Sequence, residues 1–472
     1  MQIPFSVESY LHDSSPISSQ RCLNAFAEAE PKGAKYPVAV FGTPGISTFT
    51  TLGMGPIRGM YSMNGVGYAV SGSQFYSFAA DGTFSLIGFG IPGSGVVSID
   101  GNGTQIGIVN GTNVGFIYDT GSLVFSQISD PSFNPANTIT FIDDYFAFDW
   151  AGTRQLFVSN LLDGTAYNAL AYATKEAKPD RVLALHNRQN ALLVLAEKSI
   201  ETWTNVGTIP FPFQRYDGGT VNRGLVAPHA VAEEDNSLFF LGEDLIFYRL
   251  DGTQPSRKST HAIERAWQSY ATTSDCFCLA FNDRGHKFIA VIFPSVSAPS
   301  FVFDIATGKW HERSSYDSGN LLVRWRANCT LAVFGNLLVG DANSGQIGVV
   351  DPTVFTEFGD PIKTVLVSPP IHADGKIVFM DKFELDMETG VGLPTGQGSN
   401  PQVTLEVTDD GGKTYQAVSE QWRTFGAIGA FTTRIQWQGL GNFYQRSMRV
   451  TISDPVKRVV LAARADTRVG TQ

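Results

Sequence analysis

The most enzyme-like pattern in the chain is a short acidic turn near its C-terminus. Residues 408–415 read Thr-Asp-Asp-Gly-Gly-Lys-Thr-Tyr and match the Asp-box pattern Ser/Thr-x-Asp-x-Gly-x-Thr-aromatic. In this pattern the Asp and Thr side chains hydrogen-bond to their own turn, and the aromatic ring packs beneath it. Because such a turn is a device of the fold, it predicts a structural role rather than a catalytic one.

Three pairs of adjacent acidic residues are the next candidates for chemistry. They are Asp143-Asp144, Glu233-Glu234 and Asp409-Asp410. Glycoside hydrolysis needs two carboxylates that face each other across the substrate, or a tyrosine with a carboxylate partner. Neighbouring residues of a strand point to opposite faces, so one member of each pair points away from the other. We interpret all three pairs as solvated turn residues.

Histidines and cysteines provide no recognisable site either. The seven histidines (His12, His186, His229, His261, His286, His311 and His372) are scattered without ligand spacing, and the HExxH, GxSxG, Walker and GxGxxG motifs are absent. Neither Cys22 nor Cys329 has a neighbouring ligand, and the Cys276-Phe-Cys278 run reads as a strand. We therefore expect no catalytic, cofactor-binding or metal-binding residues and no disulfide framework.

The elements that carry these residues repeat along the chain. An aromatic or β-branched strand that runs into an Asp- or Gly-centred turn occurs seven times, at residues 75–83, 115–121, 156–165, 200–205, 245–253, 301–310 and 347–352. Another strand-like run precedes each copy, so each copy is predicted to be the third strand of a four-stranded unit. Asp-Gly at a strand end predicts a type I′ hairpin turn. A period of about 40–50 residues is typical of β-propeller blades.

The composition agrees with an all-β fold. The chain has 472 residues, of which 43% are hydrophobic and 17% charged, with 48 Gly and 34 Phe. We predict an N-terminal arm (1–40) that is extended or closes the ring, a six- or seven-bladed β-propeller (41–360) and a C-terminal β-sandwich (361–472). A pair of β-sandwiches is the alternative for the repeated part.

One amphipathic helix is predicted at residues 260–271, with Thr260 as its N-cap. We expect this helix to pack against the fold. A contact between subunits is the less favoured role.

Charge argues against a protein that grips nucleic acid. Residues 1–360 carry 22 Lys/Arg against 33 Asp/Glu, whereas residues 361–472 carry 12 against 11. A phosphate-binding protein normally presents a basic stripe, and the sequence shows none. We find no membrane span and no secretory signal, and we expect synthesis in the cytoplasm.

Several stretches resemble the packaged-DNA stabilisation proteins of short-tailed bacteriophages. They are residues 20–28 (Gln-Arg-Cys-Leu-Asn-Ala-Phe-Ala-Glu), 41–46, 198–207 with 211–215, 223–231, 259–264 and 441–446. The likeness extends along nearly the whole chain in the expected order. None of these stretches has the specificity of a catalytic signature, so their joint presence is what indicates the family.

This resemblance implies a structural protein of the virion tail, made in the host bacterium. It implies a ring-shaped hub or nozzle of six copies below the portal and its adaptor, closed by a needle or plug and surrounded by tail spikes or fibres. Duplex DNA would pass transiently, without specific binding. No residue can be matched to an adaptor, spike or plug contact, so the interfaces stay unassigned.

A function of another class stays open at the level of sequence. A propeller that binds or cleaves glycans is favoured by the fold, by the Asp-box that sialidases also carry, and by Trp203, Trp310 and Trp422 if they are exposed. A pocket with convergent carboxylates and arginines would support it.

Overall fold

β-strands dominate the structure. The computed structural model describes residues 2–3, 5, 7–29, 33–53, 55–317, 319 and 322–470. Among these residues the only α-helix is α1, His261–Gln268, and no helix is long and apolar enough to cross a membrane. The prediction of an all-β fold is confirmed.

Strands at the N-terminus precede the repeated units. They are β1 (Gln2–Ile3), β2 (Tyr10–Leu11), β3 (Ser19–Leu23), β4 (Ala25–Ala29), β5 (Val38–Gly42) and β6 (Gly45–Thr51). β3 and β5 pair with strands from far along the chain, β4 pairs with β5, and β6 joins the last repeated unit. The strand that closes the ring therefore begins at Gly45, after the segment in which we predicted it.

Seven antiparallel four-stranded units follow in the described residues, and we number them 1 to 7. Unit 1 comprises β7 (Ile57–Met63), β8 (Val66–Ser71), β9 (Gln74–Phe78) and β10 (Phe84–Phe89); unit 2, β11 (Ser98–Gly101), β12 (Gln105–Val109), β13 (Phe116–Asp119) and β14 (Val124–Gln127); unit 3, β15 (Ile139–Ile142), β16 (Tyr145–Asp149), β17 (Gln155–Asn160) and β18 (Asp163–Thr174). Unit 4 comprises β19 (Val182–Arg188), β20 (Ala191–Ala196), β21 (Ile200–Asn205) and β22 (Phe213–Val221); unit 5, β23 (Val231–Glu234), β24 (Ser237–Leu241), β25 (Phe247–Asp251) and β26 (Gln254–Arg257). After α1, unit 6 comprises β27 (Phe277–Asp283), β28 (His286–Ile292), β29 (Ser300–Asp304) and β30 (Trp310–Arg313), and unit 7 comprises β31 (Ala327–Val333), β32 (Asn336–Asp341), β33 (Gln346–Asp351) and β6.

Each of the seven sequence repeats falls on the third strand of its unit, as predicted. The first strands of the units lie side by side around the centre, and β6 pairs antiparallel with β33 to complete unit 7. Gly45 is required at the start of β6, because a Cβ there would lie 2.4 Å from the carbonyl oxygen of Thr356. A segment from the N-terminal side of the chain thus closes a ring whose other strands come from residues 57–351.

The turns differ from the prediction in one respect. Two consecutive residues with positive φ, the geometry of type I′ turns, join the first and second strands at residues 64–65, 143–144, 189–190, 235–236, 284–285 and 334–335. We had predicted that turn after the third strands, and this was wrong. In the turns after the third strands, the Asp side chain instead accepts a hydrogen bond from the backbone N–H of the residue two positions later. Asp81 accepts from Thr83 (3.0 Å) and Asp351 from Thr353 (2.7 Å).

The C-terminal strands form a sandwich with help from the N-terminal ones. They are β36 (Thr364–Val367), β37 (Ile371–His372), β38 (Val378–Met387), β39 (Gln402–Thr408), β40 (Gln416–Thr424), β41 (Ile435–Gln438), β42 (Asn442–Phe443), β43 (Gln445–Ile452) and β44 (Val459–Val469), whereas β34 (Thr356–Glu357) and β35 (Asp360–Pro361) extend the sheet of unit 7 beyond β6. One sheet runs β4-β5-β44-β38-β41, and the other runs β36-β43-β39-β40. Phe383, Leu405, Trp437 and Met448 are buried between them. The domain boundaries at residues 40 and 360 stay a prediction, since strand pairing crosses both.

Three expectations about single segments can be compared with the structure. Trp203 and Trp310 are buried rather than exposed, because both pack among aromatic rings within the propeller and direct the indole N–H to an internal acceptor. Trp422 is exposed. The predicted helix is present over His261–Gln268, and Trp267 is buried against Trp310, which agrees with a packing role. The predicted N-cap Thr260 makes no side-chain cap hydrogen bond.

Candidate functional site

The propeller and the sandwich share strand β3. On one side β3 meets β30 of unit 6, and on the other it pairs antiparallel with β36. Arg21 in β3 donates two hydrogen bonds to Glu312 (2.8 and 2.9 Å). The Asn24 side chain donates to the carbonyls of Ser314 (2.9 Å) and Lys363 (2.8 Å). One short segment therefore holds unit 6 and the sandwich together through backbone and side-chain bonds.

A buried glutamate lies at the centre of this junction. Glu357 in β34 accepts hydrogen bonds from the Trp325 indole (3.0 Å) and the Ser315 hydroxyl, and it lies 3.7 Å from the Arg313 guanidinium. Arg313 and Glu357 are 0% and 3% exposed, and Arg313 also lies over the Trp325 ring at 4.0 Å. Burial lowers the pKa of Arg313, and Glu357 opposes this shift. The junction thus depends on a charge pair that water does not reach.

Two further arginines link the same region. Arg326 makes a bidentate pair with Asp341 (both bonds 2.8 Å) and a third bond to Asp360 (2.7 Å). Burial tends to lower the pKa of Arg326, but the hydrogen bonds that its guanidinium donates to Asp341 raise it overall. Arg458, also buried, donates to the backbone carbonyls of Ile362 and Thr43. Planar, multiply bonded guanidinium groups of this kind favour a fixed geometry.

A second buried charge cluster lies between units 3 and 4. The Lys175 ammonium is fully buried and lies 2.5 Å from Asp180 and 3.5 Å from Glu201. Glu201 also accepts the Trp203 indole N–H at 3.0 Å. These contacts connect units 3 and 4, much as Glu357 in the sheet of unit 7 connects to Arg313 at the end of unit 6.

The first strands of the seven units line an open cavity of about 710 Å³ at the centre of the propeller. Its wall is mostly backbone and small or apolar side chains, and no Lys or Arg is among the described lining residues. Asp100 accepts the N–H groups of Gly101 and Phe141, and burial raises its pKa. Burial lowers the pKa of His229 to about 4 and raises that of Cys329 to about 12, so both are neutral at pH 7. The cavity therefore offers one carboxylate without a convergent arginine.

The other sequence candidates lie apart from one another. Asp143 and Asp144 are an exposed turn, whereas Glu233 pairs with His186 (2.9 Å) and Glu234 with Lys287 (3.0 Å). The four cysteines are free and buried. Among the described residues, no three His, Cys, Asp or Glu side chains form a group that could hold a metal ion.

The Asp-box turn has the internal bonding that its pattern predicts. Asp410 accepts bonds from the backbone N–H groups of Lys413 and Thr414 (3.0 Å each) and from the hydroxyls of Thr408 and Thr414 (2.8 and 2.6 Å). These bonds hold the pKa of Asp410 well below its usual range. Gly411 and Gly412 contact Pro16 and Ser19, and Tyr415 packs against Arg449. The turn therefore supports the N-terminal segment that leads into β3.

We expect Asp410→Ala to lower the melting temperature of the protein and to leave its incorporation into particles unchanged. The substitution leaves the backbone donors of the turn without their acceptor. Circular dichroism melts of this variant and of Lys413→Ala, a change at an exposed site of the same turn, provide the comparison. A variant that melts like the parent but no longer joins its partners would show that the turn is an interface.

Family models match almost the entire chain. The model described as bacteriophage P22 Gp10, β-propeller, matches residues 2–355, and the model described as bacteriophage P22 Gp10, β-sandwich, matches residues 363–468. The chain belongs to the phage P22 Gp10 family. This confirms the resemblance to packaged-DNA stabilisation proteins and the predicted β-propeller with a C-terminal β-sandwich, and it makes the chain a structural protein of the phage tail.

Other comparisons add no functional information. No curated protein matches the chain. Similar solved structures include the designed protein Ika8 (12% identity, 64% of this chain and 99% of that one, TM-score 0.37) and the WD40 β-propeller domain of Doa1 (11%, 65% and 96%, 0.41). A chain of the mitotic checkpoint complex has 14% identity over 68% of this chain and 95% of that one, with a TM-score of 0.43.

Three of the stretches that carry the family resemblance contribute residues to buried or ion-paired contacts. Residues 20–23 lie in the shared strand β3, residues 198–207 include Glu201 and Trp203, and residues 441–446 end on Arg446, which pairs with Asp409. Our sequence reasoning missed the buried charges Lys175, Arg313 and Glu357. A usable signal was present, because His311-Glu-Arg313 places three polar residues in succession within a strand that follows an aromatic run.

Proposed function

We propose that this Gp10-family chain forms the ring-shaped hub or nozzle of a phage tail. In this role several copies, six by the family resemblance, lie below the portal and adaptor, retain the packaged DNA, conduct it at ejection and anchor spikes or fibres. A needle or plug closes the exit, and the chain is made in the cytoplasm of the host bacterium. The single observation that carries the proposal is the family match across both the propeller and the sandwich.

The size of the central cavity supports a ring of several copies. One turn of duplex DNA is about 34 Å long, and its major groove alone is about 12 Å wide. A cavity of about 710 Å³ cannot admit such a polymer. If the protein conducts DNA, the duplex therefore passes between copies and not through the centre of one propeller.

Charge supports conduction without binding. Arg181, Arg188, Arg215 and Arg223 follow one another along units 4 and 5 and would be candidates for a basic face. Each lies within ion-pair distance of a carboxylate: Arg181 of Glu197, Arg188 of Glu233, Arg215 of Asp217 and Arg223 of Asp244. Binding to DNA releases counterions from the phosphates only where Lys or Arg side chains are free to neutralise those phosphates. A net charge of -10 then repels the duplex and lets it move.

We expect the purified chain to show no saturable binding to duplex DNA at physiological salt. Fluorescence anisotropy with a labelled duplex, titrated over a range of salt concentrations, measures this. Micromolar or tighter binding at low salt, with a log-log salt slope of about -0.9 for each phosphate neutralised, would instead indicate a DNA clamp.

The proposal as a whole is tested in phage particles. Particles made with the gene interrupted should lack the ring and lose their DNA, and supply of the intact chain in trans should restore both. Electron microscopy of purified tails should show the chain as a ring next to the adaptor. Absence of the chain from purified particles would contradict the proposal.

We also propose that the chain is not a hydrolase. The propeller cavity brings one carboxylate, Asp100, to its wall, and its oxygens already accept two backbone N–H groups. An assay with bacterial surface polysaccharide and chromogenic glycosides should show no turnover. Turnover that a single carboxylate substitution abolishes would favour the glycan-cleaving alternative.

A further inference from the structure

A second cavity lies beside the shared strand β3, between the sandwich, the N-terminal segment and the Asp-box turn. We call it the β3 cavity, and its volume is about 260 Å³. Pockets for drug-sized ligands typically have about 300–1,000 Å³. The β3 cavity is therefore of a size for one small group, and it shares no lining residue with the centre of the propeller.

One face of the sheet β3-β36-β43-β39 forms the floor of the β3 cavity. Arg21 in β3 and Arg449 in β43 pair with Val367 from either side, and Glu406 in β39 pairs with Arg449. Residues that pair directly point to the same face of a sheet, as do residues two or four positions apart in one strand. Lys363 lies directly before β36, four positions before Val367, and joins this face. The strand pairing thus brings three cationic side chains to one cavity.

These cations are not fully balanced by carboxylates. Arg21 pairs with Glu312, which lies below the floor, and Arg449 pairs with Glu406, the one carboxylate among the described lining residues. Lys363 is half-buried and has no carboxylate within ion-pair distance in the described part of the chain. With both ion pairs counted, the ammonium of Lys363 leaves one positive charge in excess.

The surroundings of Lys363 disfavour its charge. Burial and the positive charges of Arg449 and Arg21 lower the pKa of Lys363, and Glu406 opposes this shift. A partly buried ammonium beside two like charges is unfavourable unless an anion joins it. An anion in the β3 cavity would remove that cost.

The two arginines keep hydrogen-bond donors in reserve. Arg21 donates to Glu312 through Nε and Nη2, and Arg449 contacts Glu406 through the same two nitrogens. No described residue accepts a hydrogen bond from the Nη1 atom of either guanidinium, and each Nη1 carries two N–H donors. Together with the Lys363 ammonium, these atoms provide donors for a ligand with several acceptor oxygens.

We propose that the β3 cavity binds a tetrahedral oxyanion, a phosphate group, between Arg21, Lys363 and Arg449. Arginine and lysine side chains bind phosphate in proteins because their N–H groups form charge-assisted hydrogen bonds with its oxygens. Donors from three strands suit the four oxygens of a tetrahedral ion better than the two coplanar oxygens of a carboxylate. The bound ion would connect β3, β36 and β43 within one copy of the chain, so the site does not depend on the proposed ring.

Inorganic phosphate is the first probe. Isothermal titration calorimetry of the full chain, in a chloride buffer of constant ionic strength at neutral pH, measures its binding. We expect saturable binding with a dissociation constant on the order of 1 mM or lower. Acetate should bind more weakly than phosphate, because it offers fewer acceptor oxygens. Absence of saturable phosphate binding, or acetate binding as tight as that of phosphate, would overturn the proposal.

Lys363→Met tests whether the ion binds at this cavity. The substitution removes the unpaired charge and keeps a side chain of similar length, so we expect phosphate affinity to fall by about tenfold or more. The matched control is Lys376→Met, since Lys376 is an exposed lysine of the same sandwich without an ion pair in the described structure, and it should bind phosphate like the parent. Unchanged phosphate affinity of Lys363→Met would contradict the proposal.

Melting temperatures separate a binding role of Lys363 from a structural one. Without phosphate, Lys363→Met should melt at or above the melting temperature of the parent, because repulsion between like charges is removed. Phosphate should then raise the melting temperature of the parent more than that of the variant. If the variant melts below the parent without phosphate, the ammonium is already stabilised within the chain, and the proposal fails.

Methyl phosphate distinguishes two sources of the phosphate group. Both sources share the chemistry of the proposed site. Binding of inorganic phosphate but not of the methyl ester would identify the ligand as the free ion. Binding of both would show that the cavity also admits a phosphate group carried by a larger molecule.

Discussion

We expect Glu357→Gln to lower the free energy of unfolding by about 3 kcal/mol or more. The substitution removes the only carboxylate within ion-pair distance of Arg313 in the described structure, whose guanidinium is 0% exposed. It also weakens the acceptor of the Trp325 indole and the Ser315 hydroxyl. Breaking one side of a buried ion pair is costly because the remaining charge cannot regain its hydration. Urea unfolding followed by tryptophan fluorescence measures the effect.

The matched control is Glu420→Gln. Glu420 pairs with Arg423, but its side chain is 75% exposed, so water replaces the lost partner. Exposed pairs of this kind contribute less than about 1 kcal/mol. If Glu357→Gln unfolds at the same urea concentration as the control, the junction does not depend on the buried pair.

The second large effect is a loss of stability in acid that depends on His311. Burial, together with electrostatic repulsion from Arg313, lowers the pKa of His311 to about 3 in the folded protein, from an ordinary value of 6.5. Between these pH values the unfolded chain binds a proton that the folded chain does not. Stability therefore falls as the pH decreases from 6.5, by about 1.4 kcal/mol for each pH unit.

His311→Phe isolates this contribution. Other groups also titrate, and Asp149 acts in the opposite sense because burial raises its pKa to about 6. The comparison is therefore the change in stability between pH 7 and pH 4 for the parent minus the same change for the variant. We expect the parent to lose about 3 kcal/mol more than His311→Phe. The control His372→Phe, at an exposed position, should follow the parent. Equal acid sensitivity of the parent and His311→Phe would show that His311 takes up no extra proton on unfolding.

Both effects arise at the same place, where unit 6, unit 7 and the sandwich meet. The His311 ring packs near Phe26 of β4 (6.1 Å between ring centres), and Arg313 is two residues further along β30. This explains why the N-terminal segment could not be assigned from its own sequence. Residues 19–42 have short strands, and their partners in β36 and β44 follow more than 300 residues later. No local period indicates such a pairing.

The features that could be read from sequence are those in which each residue's environment follows from its near neighbours. Aromatic or β-branched runs followed by Asp- or Gly-centred turns located all seven third strands, and the Thr408–Tyr415 pattern specified its own hydrogen bonds. Even here local chemistry left a choice, because an Asp-Gly pair suits either a type I′ turn or a turn capped by the Asp side chain. The structure uses the second at Asp81.

The amino-acid sequence alone determined the strand repeat, the acidic balance of residues 1–360 and the family, since each depends on residue type and order. Only the tertiary structure decided which strands close the ring, which charges are buried and which apolar side chains stay exposed. Trp310 and Trp422 illustrate the difference: both lie in strands, but one is 1% exposed and the other 57%. The physical reason is that burial and ion pairing depend on partners hundreds of residues away, and the energies of those contacts appear only when the distant strands are brought together.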